Sequence, residues 1–509
     1  MVRERAGQLA QAKAEYEEYL RRYPDGPGAE RVRTRLRTLI DAALAPKSIG
    51  QPEVATQNSR WTVAGTTSLT YQYEKDQTVS SGTTTTTTSV NAALIYADLL
   101  LRDRGERYDF TSRVDAGYTK NLVNTFGGSQ DRTTAAYVEL SDRMLGLTGR
   151  LGRQTLASQG IIGLFDGLYV GYQLNPTLTV SVAGGLPAYT AYSSPSGQTK
   201  FGTVTAEFDP FHLAWVFDAY FFDEMVGSQT DRRSVGFQTR YSQPGRTAVV
   251  LVDYDAEFQQ LNSATLIGNA KVGQSWILGF NADHRRSPLL ELNNALIGQT
   301  ATSLNALEQQ IIPPATTPPT PSQIRQMALD RTATSNTFVI SASRPLGERW
   351  QFMVDLAGLE LSSTPASFNV PGTPSPGLDK SASVQMSGLS LLQASDLHIF
   401  SVRYDDSPIS RSTTLSWDAR FVVHGAWRLG PRLSVERLDD PSVGGTQYLY
   451  LPQVRSDWTG RRAVFEFTAG YELQHQLAQQ QQQSLTGVTE TGALDQRSLY
   501  LSATYRFRF

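Results

Sequence analysis

The chain has 509 residues, 40% of them hydrophobic and 18% charged, with a formal net charge of −2 and no cysteine. The missing cysteine excludes disulfides, thiol catalysis, cysteine-ligated zinc and an acylated N-terminal cysteine, and no clustered basic face points to nucleic acid. No apolar run is long enough for a transmembrane helix, so a membrane could be crossed only by a closed barrel of strands.

In chain order, residues 1–45 read as a helical hairpin. Leu9, Ala12, Tyr16, Tyr19, Leu20 and Tyr23 recur at helical spacing, YPDGPG (23–28) breaks the helix, and Val32, Leu36, Leu39 and Ile40 line a second one. The first residues are charged throughout and lack the apolar core of a secretory signal. An exported barrel requires such a signal, so a truncated or misplaced start is expected. Residues 46–59, rich in Pro, Gly and Ser, form a linker.

From 60 to 509 the period changes to two. In Tyr108–Lys120, Phe110, Val114, Ala116 and Tyr118 oppose Asp109, Thr111, Arg113, Asp115 and Thr119. Thr413–Arg428 reads as one strand, with Leu415, Trp417, Ala419, Phe421, Val423 and Trp427 opposing Ser416, Asp418, Arg420, His424 and Arg428. The last residues, SLYLSATYRFRF, alternate strictly to a terminal Phe509. These segments are longer than soluble strands, and aromatics such as Trp61, Tyr71, Tyr73, Trp276, Trp350, Trp427 and Trp458 gather toward their ends.

The connections also alternate in length. Long ones fall at 75–88, 123–132, 156–165, 186–198, 287–331, 363–378 and 478–494, and tight turns at NPT (175–177), DP (209–210), PGR (244–246), PLGE (345–348), LGP (429–431) and WTG (458–460). The expected fold is an all-β transmembrane antiparallel barrel of about 22 strands, with long loops outside and both termini in the periplasm.

Mid-strand charges are costly toward lipid and therefore mark the lumen. Arg113, Asp115, Glu139, Arg150, Asp218, Arg240, Asp253, Asp255, Asp283, Asp418, Arg420, Arg455 and Glu466 are the lumen-lining candidates. They either set a transverse field of mixed sign or merely pair and stabilise the wall. The 287–331 loop carries two short amphipathic segments, Ser303–Ile311 and Ser322–Leu329, with Ser322 as N-cap and a proline-rich spacer between them. Its Leu289, Leu290, Leu292, Leu296 and Ile297 suit folding into or over the barrel mouth; an exposed surface loop is the other reading. The five histidines (212, 284, 398, 424 and 475) show no metal-ligand spacing, and no catalytic motif is visible. His424, on the same expected face as Asp418 and Arg420, is the one hydrolase candidate. No enzyme activity, cofactor or metal is expected.

Three resemblances add to this. AGQLAQAKAEYEEYLRRYPDGPGAERVRTRL, with Ala12, Tyr16 and Pro24, resembles a partial tetratricopeptide repeat, which implies a periplasmic protein partner through residues 1–45; a plain helical cap is the alternative. Tyr505, Phe507 and Phe509 resemble the C-terminal signal of bacterial outer-membrane barrels, which the barrel-assembly machinery reads in that family. Repeats joined to a C-terminal barrel resemble the exopolysaccharide secretion porins, although those have 16 strands and much longer repeat arrays. The implied function is an outer-membrane channel or export conduit for a polysaccharide or small polar solutes, surrounded by outer-membrane lipid. The alternative is a structural anchor or scaffold in which the 287–331 loop plugs the lumen and the repeats recruit envelope machinery.

Overall fold

The computed structural model describes residues 60–80, 83–123, 128–156, 160, 163–195, 197–210, 214–273, 275–440, 445–476, 483–484, 487–488 and 494–509. The expected helical hairpin (1–45) and linker (46–59) lie outside the described residues, as does His212.

Period-two sequence becomes strand from the first described residue. The first half of the chain forms β1 (Arg60–Ser80), β2 (Thr83–Arg104), β3 (Tyr108–Asn121), β4 (Gln130–Asp142), β5 (Leu147–Gln154), β6 (Leu164–Asn175), β7 (Leu178–Ala188), β8 (Thr199–Phe208), β9 (Trp215–Val226), β10 (Gln229–Gln243), β11 (Arg246–Asp255) and β12 (Gln260–Val272). The second half adds β13 (Trp276–Ser287), β14 (Ala333–Leu346), β15 (Trp350–Leu361), β16 (Gly377–Leu389), β17 (Leu397–Asp406), β18 (Arg411–His424), β19 (Trp427–Asp440), β20 (Gly445–Thr459) and β21 (Ala463–Gln476). A two-stranded hairpin, β22 (Gln483–Ser484) and β23 (Gly487–Val488), precedes β24 (Leu494–Arg508).

Apart from that hairpin, sequence neighbours pair antiparallel in one 22-stranded sheet. The sheet closes where β24 pairs with both β21 and β1, from Thr66 opposite Arg508 to Val79 opposite Asp495. The seam is tied by side chains as well as by backbone. Thr70 and Thr504 share a buried hydroxyl hydrogen bond of 3.0 Å, and Gly65 and Phe509 exchange backbone hydrogen bonds of 3.0 and 3.2 Å. Closure removes the unpaired edge that a sheet would otherwise expose in lipid. A circular barrel of 22 strands, spaced about 4.8 Å and tilted about 40°, measures about 44 Å between backbone walls.

One face of the wall is apolar and uncovered. Ile95, Ile340 and Leu415 are 58%, 57% and 54% exposed, and Val138, Leu168, Phe400 and Val454 continue the band around the circumference. Such a surface belongs in hydrocarbon. Six of the seven tryptophans (Trp61, Trp215, Trp276, Trp350, Trp427 and Trp458) stand at strand ends on the short-turn rim. That position sets the interfacial belt of this rim. Among the described residues no helix is long and apolar enough to cross a membrane.

Two expected connections differ. The 75–88 stretch is mostly strand, because β1 runs to Ser80 and β2 restarts at Thr83. A run of β-branched threonines prefers a pleated wall to a coil. LGP (429–431) lies inside β19, and the turn falls earlier, at 425–426, where Gly425 adopts φ +54°. Thr413–Arg428 is therefore two strands. Pro431, which has no N–H to give, is accommodated where the β18–β19 register skips from Asp418/Arg432 to Phe421/Leu429.

The 288–332 connection is folded. It contains a 3₁₀ turn (Leu292–Leu296), α1 (Leu304–Leu307) and α2 (Pro321–Asp330). Ser303 caps α1 by accepting the Ala306 N–H at 3.2 Å. Thr320, rather than Ser322, caps α2, through a capping box with Gln323. Pro321 at the first helical position has no N–H to satisfy and moves the start upstream. Leu290, Leu307, Ile324 and Met327 are at most 1% exposed in a core shared with Phe258 of the β11–β12 turn. Each contributes about 2 kcal/mol against the entropy of ordering the loop.

Candidate functional site

Alternation places all thirteen lumen candidates on the face opposite the apolar band, and most are in pairs. Arg113 meets Asp98 at 3.0 Å, and Asp115 accepts the Tyr96 hydroxyl at 2.8 Å. Arg150 donates Nε to Glu139 at 2.7 Å and lies over the Tyr137 ring, 4.7 Å from its centroid. Arg240 reaches Glu207 at 2.9 Å and Asp218 at 3.4 Å. Asp418 stands opposite Arg432 in the ladder, Arg420 pairs with Asp457 at 2.7 Å, and Arg455 lies 3.6 Å from Glu466. Asp283 accepts the Thr265 hydroxyl at 2.6 Å and pairs with Arg285. Asp255 instead accepts the N–H groups of Glu257 and Phe258 at 2.8 and 2.9 Å, capping the β11–β12 turn.

The solvent on this face can be read from the pairs themselves. Arg113, Arg240, Arg420 and Arg455 keep 35–42% of their side chains accessible although they point inward. An inner wall with that much accessible charge is a water-lined one, since unsolvated charges at this density would cost several kcal/mol each.

One sector is different. Arg232 on β10 and Asp253 on β11 pair at 2.8 Å with side chains only 2% and 4% exposed. The same Asp253 oxygen accepts the Tyr220 hydroxyl, and Arg232 donates to the Gly160 carbonyl at 2.8 Å while packing on the Phe222 ring. Gly160, at φ +73°, lies against the inner wall; a Cβ there would stand 2.6 Å from the Tyr220 ring. Phe165, Phe201, Tyr220 and Phe222 form an apolar cluster on what would otherwise be lumen surface.

Two β-bulges hold the 288–332 segment beside this cluster. Asp231 is left unpaired between Thr230/Met225 and Arg232/Glu224, and Asn262 between Asp253/Ser263 and Tyr254/Leu261. A bulge adds a residue and re-aims its side chain. Both extra residues are fully buried, and both grip the loop. Asp231 accepts the backbone N–H and the side-chain amide of Asn293, each at 3.1 Å, and Asn262 accepts the Leu290 N–H at 3.3 Å. Ion pairing of Arg325 with Glu257 and a hydrogen bond from Gln229 to Glu308 add further ties. Gln299 donates to the Phe368 carbonyl at 3.0 Å, joining this loop to the 362–376 connection.

Glu291 sits at the centre of the clamp. Part of its side chain is accessible, yet burial first, then the nearby Glu224 and Asp231 carboxylates, push its carboxyl well above the usual range, with Arg232 opposing.

Sequence reasoning missed Asp231, Arg232, Asn262, Tyr220 and Glu224. The first three depend on single-residue bulges, which leave alternation intact on either side. It also placed His424 with Asp418 and Arg420, but a register shift between Val422 and His424 separates them, and Arg420 is occupied by Asp457. His398, near the short-turn rim, has Asp396 at 3.3 Å and is stacked among Phe400 and Trp417. Among the described residues no group of three or more metal-ligating side chains is assembled.

No protein-family model matches the chain, and no curated protein is found similar to it. Among solved structures, the outer membrane protein OpdK of Pseudomonas aeruginosa is similar at 10% identity over 87% of this chain and 99% of that one, with a TM-score of 0.38. OccAB3 of Acinetobacter baumannii gives 10% identity over 88% and 99%, TM-score 0.37. A bacterial polysaccharide outer membrane secretin gives 11% identity over 66% of this chain and all of that one, TM-score 0.29.

Proposed function

We propose that the chain is an outer-membrane channel for small polar solutes, narrowed on one side by the clamped 288–332 segment. The observation that carries this is the accessible charge on the inner wall: arginines on β3, β10, β18 and β20 face inward, are paired, and still keep more than a third of their side chains accessible. Porins of 16–18 strands leave aqueous channels, whereas 22-stranded transporters are plugged. Here the inward-folded material is built from connections and is anchored on the β9–β13 sector. The arginine pairs on β18–β21 remain accessible. No catalytic group is assigned, and the activity proposed is passage.

Polysaccharide export, with residues 1–45 docking a periplasmic partner, is a narrower version of this proposal. Single-channel recording in planar bilayers tests the common part, because a steady conductance is expected from the intact chain. Added oligosaccharides separate the versions: a polymer conduit is blocked by them at low concentration, and a general solute channel is not.

The two bulge clamps favour one competing reading, an anchor barrel whose lumen the segment plugs. It requires an intact chain that is silent and a 290–330 deletion that conducts.

A further inference from the structure

The two rims of the outward face carry different chemistry. Tryptophans mark the short-turn rim. At the long-loop rim, alternation puts Lys75 on the face of Leu69 and Tyr71, Lys120 on that of Val114 and Tyr118, Lys200 with Val204, Lys380 with Val384, and Arg497 with Leu499 and Tyr505. All five cations are exposed and lie near the long-loop ends of β1, β3, β8, β16 and β24. Four of the five lysines among the described residues are in this set; the fifth, Lys271, is at the other rim. A cation turned outward near hydrocarbon is stable where an anion meets it.

Neighbouring arginines already have partners. Arg153, Arg233, Arg411 and Arg437 face outward at the same rim and pair with Asp166, Asp223, Asp406 and Asp439. The five exposed cations have no carboxylate within 4.0 Å among the described residues. Among the described side chains Asp131 and Glu360 also face outward here, so the unneutralised excess among them is positive. The densest point is the closing seam. Lys75 opposes Leu499 and Arg497 opposes Gln77, which makes the two cations diagonal neighbours on one face, about 5–8 Å apart at Cβ. Tyr71 and Tyr73 lie just below them, with the Tyr71 hydroxyl held by Asn91 at 3.0 Å. Ammonium and guanidinium groups above a tyrosine layer suit a phosphorylated headgroup whose chains run down the apolar band.

Resting on the membrane reading above, we propose that this rim binds the phosphate groups of an anionic glycolipid in the surrounding leaflet, with Lys75 and Arg497 as the principal site. Aliphatic stems of lysine and arginine cover apolar wall while their heads reach the headgroup layer. The preference also orients the barrel, since only the long-loop rim offers these cations.

The test uses the full chain in nanodiscs containing phosphatidylcholine and either diphosphorylated or dephosphorylated lipid A, with retained lipid counted by native mass spectrometry. The wild type is expected to retain the diphosphorylated form at least threefold over the dephosphorylated one. Lys75→Gln with Arg497→Gln should remove at least two-thirds of that retention, Lys75→Arg with Arg497→Lys should keep it, and Lys271→Gln should leave it unchanged. Equal retention of the two lipids by the wild type, or undiminished retention by the double glutamine variant, overturns the proposal. Competition by inorganic phosphate at an equal phosphate concentration would also overturn it, by making the site one for free phosphate. Bilayer conductance of each variant reports folding and channel function separately, so a silent channel that still retains lipid contradicts only the functional proposal.

Discussion

Two inward ion pairs, built from the same residue types, behave as different objects. Arg455 and Glu466 on β20 and β21 lie 3.6 Å apart with 39% and 31% of their side chains accessible; Arg232 and Asp253 lie 2.8 Å apart with 2% and 4%. The first pair decorates a wet wall. The second is the keystone of a dry sector, because Gly160 and the Phe222 ring pack against it and the 288–332 segment is clamped beside it. An inward charge in this barrel is therefore not one kind of feature, and the loop above it decides whether it tunes a solution or holds a structure.

The largest expected effect breaks the dry pair. Arg232→Gln leaves Asp253 buried and short of its partner, which costs about 3–5 kcal/mol, read as a lower urea midpoint for unfolding in detergent. Next comes the clamp. Asp231→Ala with Asn262→Ala removes the acceptors for Asn293 and Leu290, and each lost buried hydrogen bond costs about 1–3 kcal/mol. The segment should become cleavable near its proline-rich stretch by added protease while the barrel stays intact. Unchanged resistance would show that the apolar core alone holds it.

A smaller effect follows from Glu291. Its carboxyl is raised in the clamped state, so closure is fully present below the ordinary carboxylate value of about 4.3 and weakens as pH rises through the raised value. Conductance should therefore increase with pH, and Glu291→Gln should flatten that dependence. Glu224, Asp231 and Arg232 face the same group, so a slope that survives the substitution would assign the titration to the two remaining acids. The smallest effect belongs to the wet wall: Arg455→Gln should change stability by no more than about 1 kcal/mol while shifting reversal potentials toward cation preference.

These contrasts also mark what the sequence discloses. Phe110, Val114 and Tyr118 against Arg113 and Asp115 announce both faces of β3, because period two is a local property and mid-strand charge tolerates only one side. The strand number of 22 follows from the same pattern together with the alternating connection lengths. Asp231 and Asn262 are hidden for a physical reason. A bulge is one extra residue whose position depends on the partner strand, and DRRSV or QLNSA reads as ordinary alternation without that partner. Pro431 misled in the opposite direction. It reads as a turn, yet the ladder around it simply skips the bond it cannot make.

The most direct test of the conduit account is single-channel current through the intact chain in planar bilayers, compared with a variant lacking 290–330. The account predicts a steady conductance in the intact chain and a larger one after deletion, because the β9–β13 sector then joins the wet wall. No conductance in either protein, with both folded, would contradict it and leave an anchoring barrel.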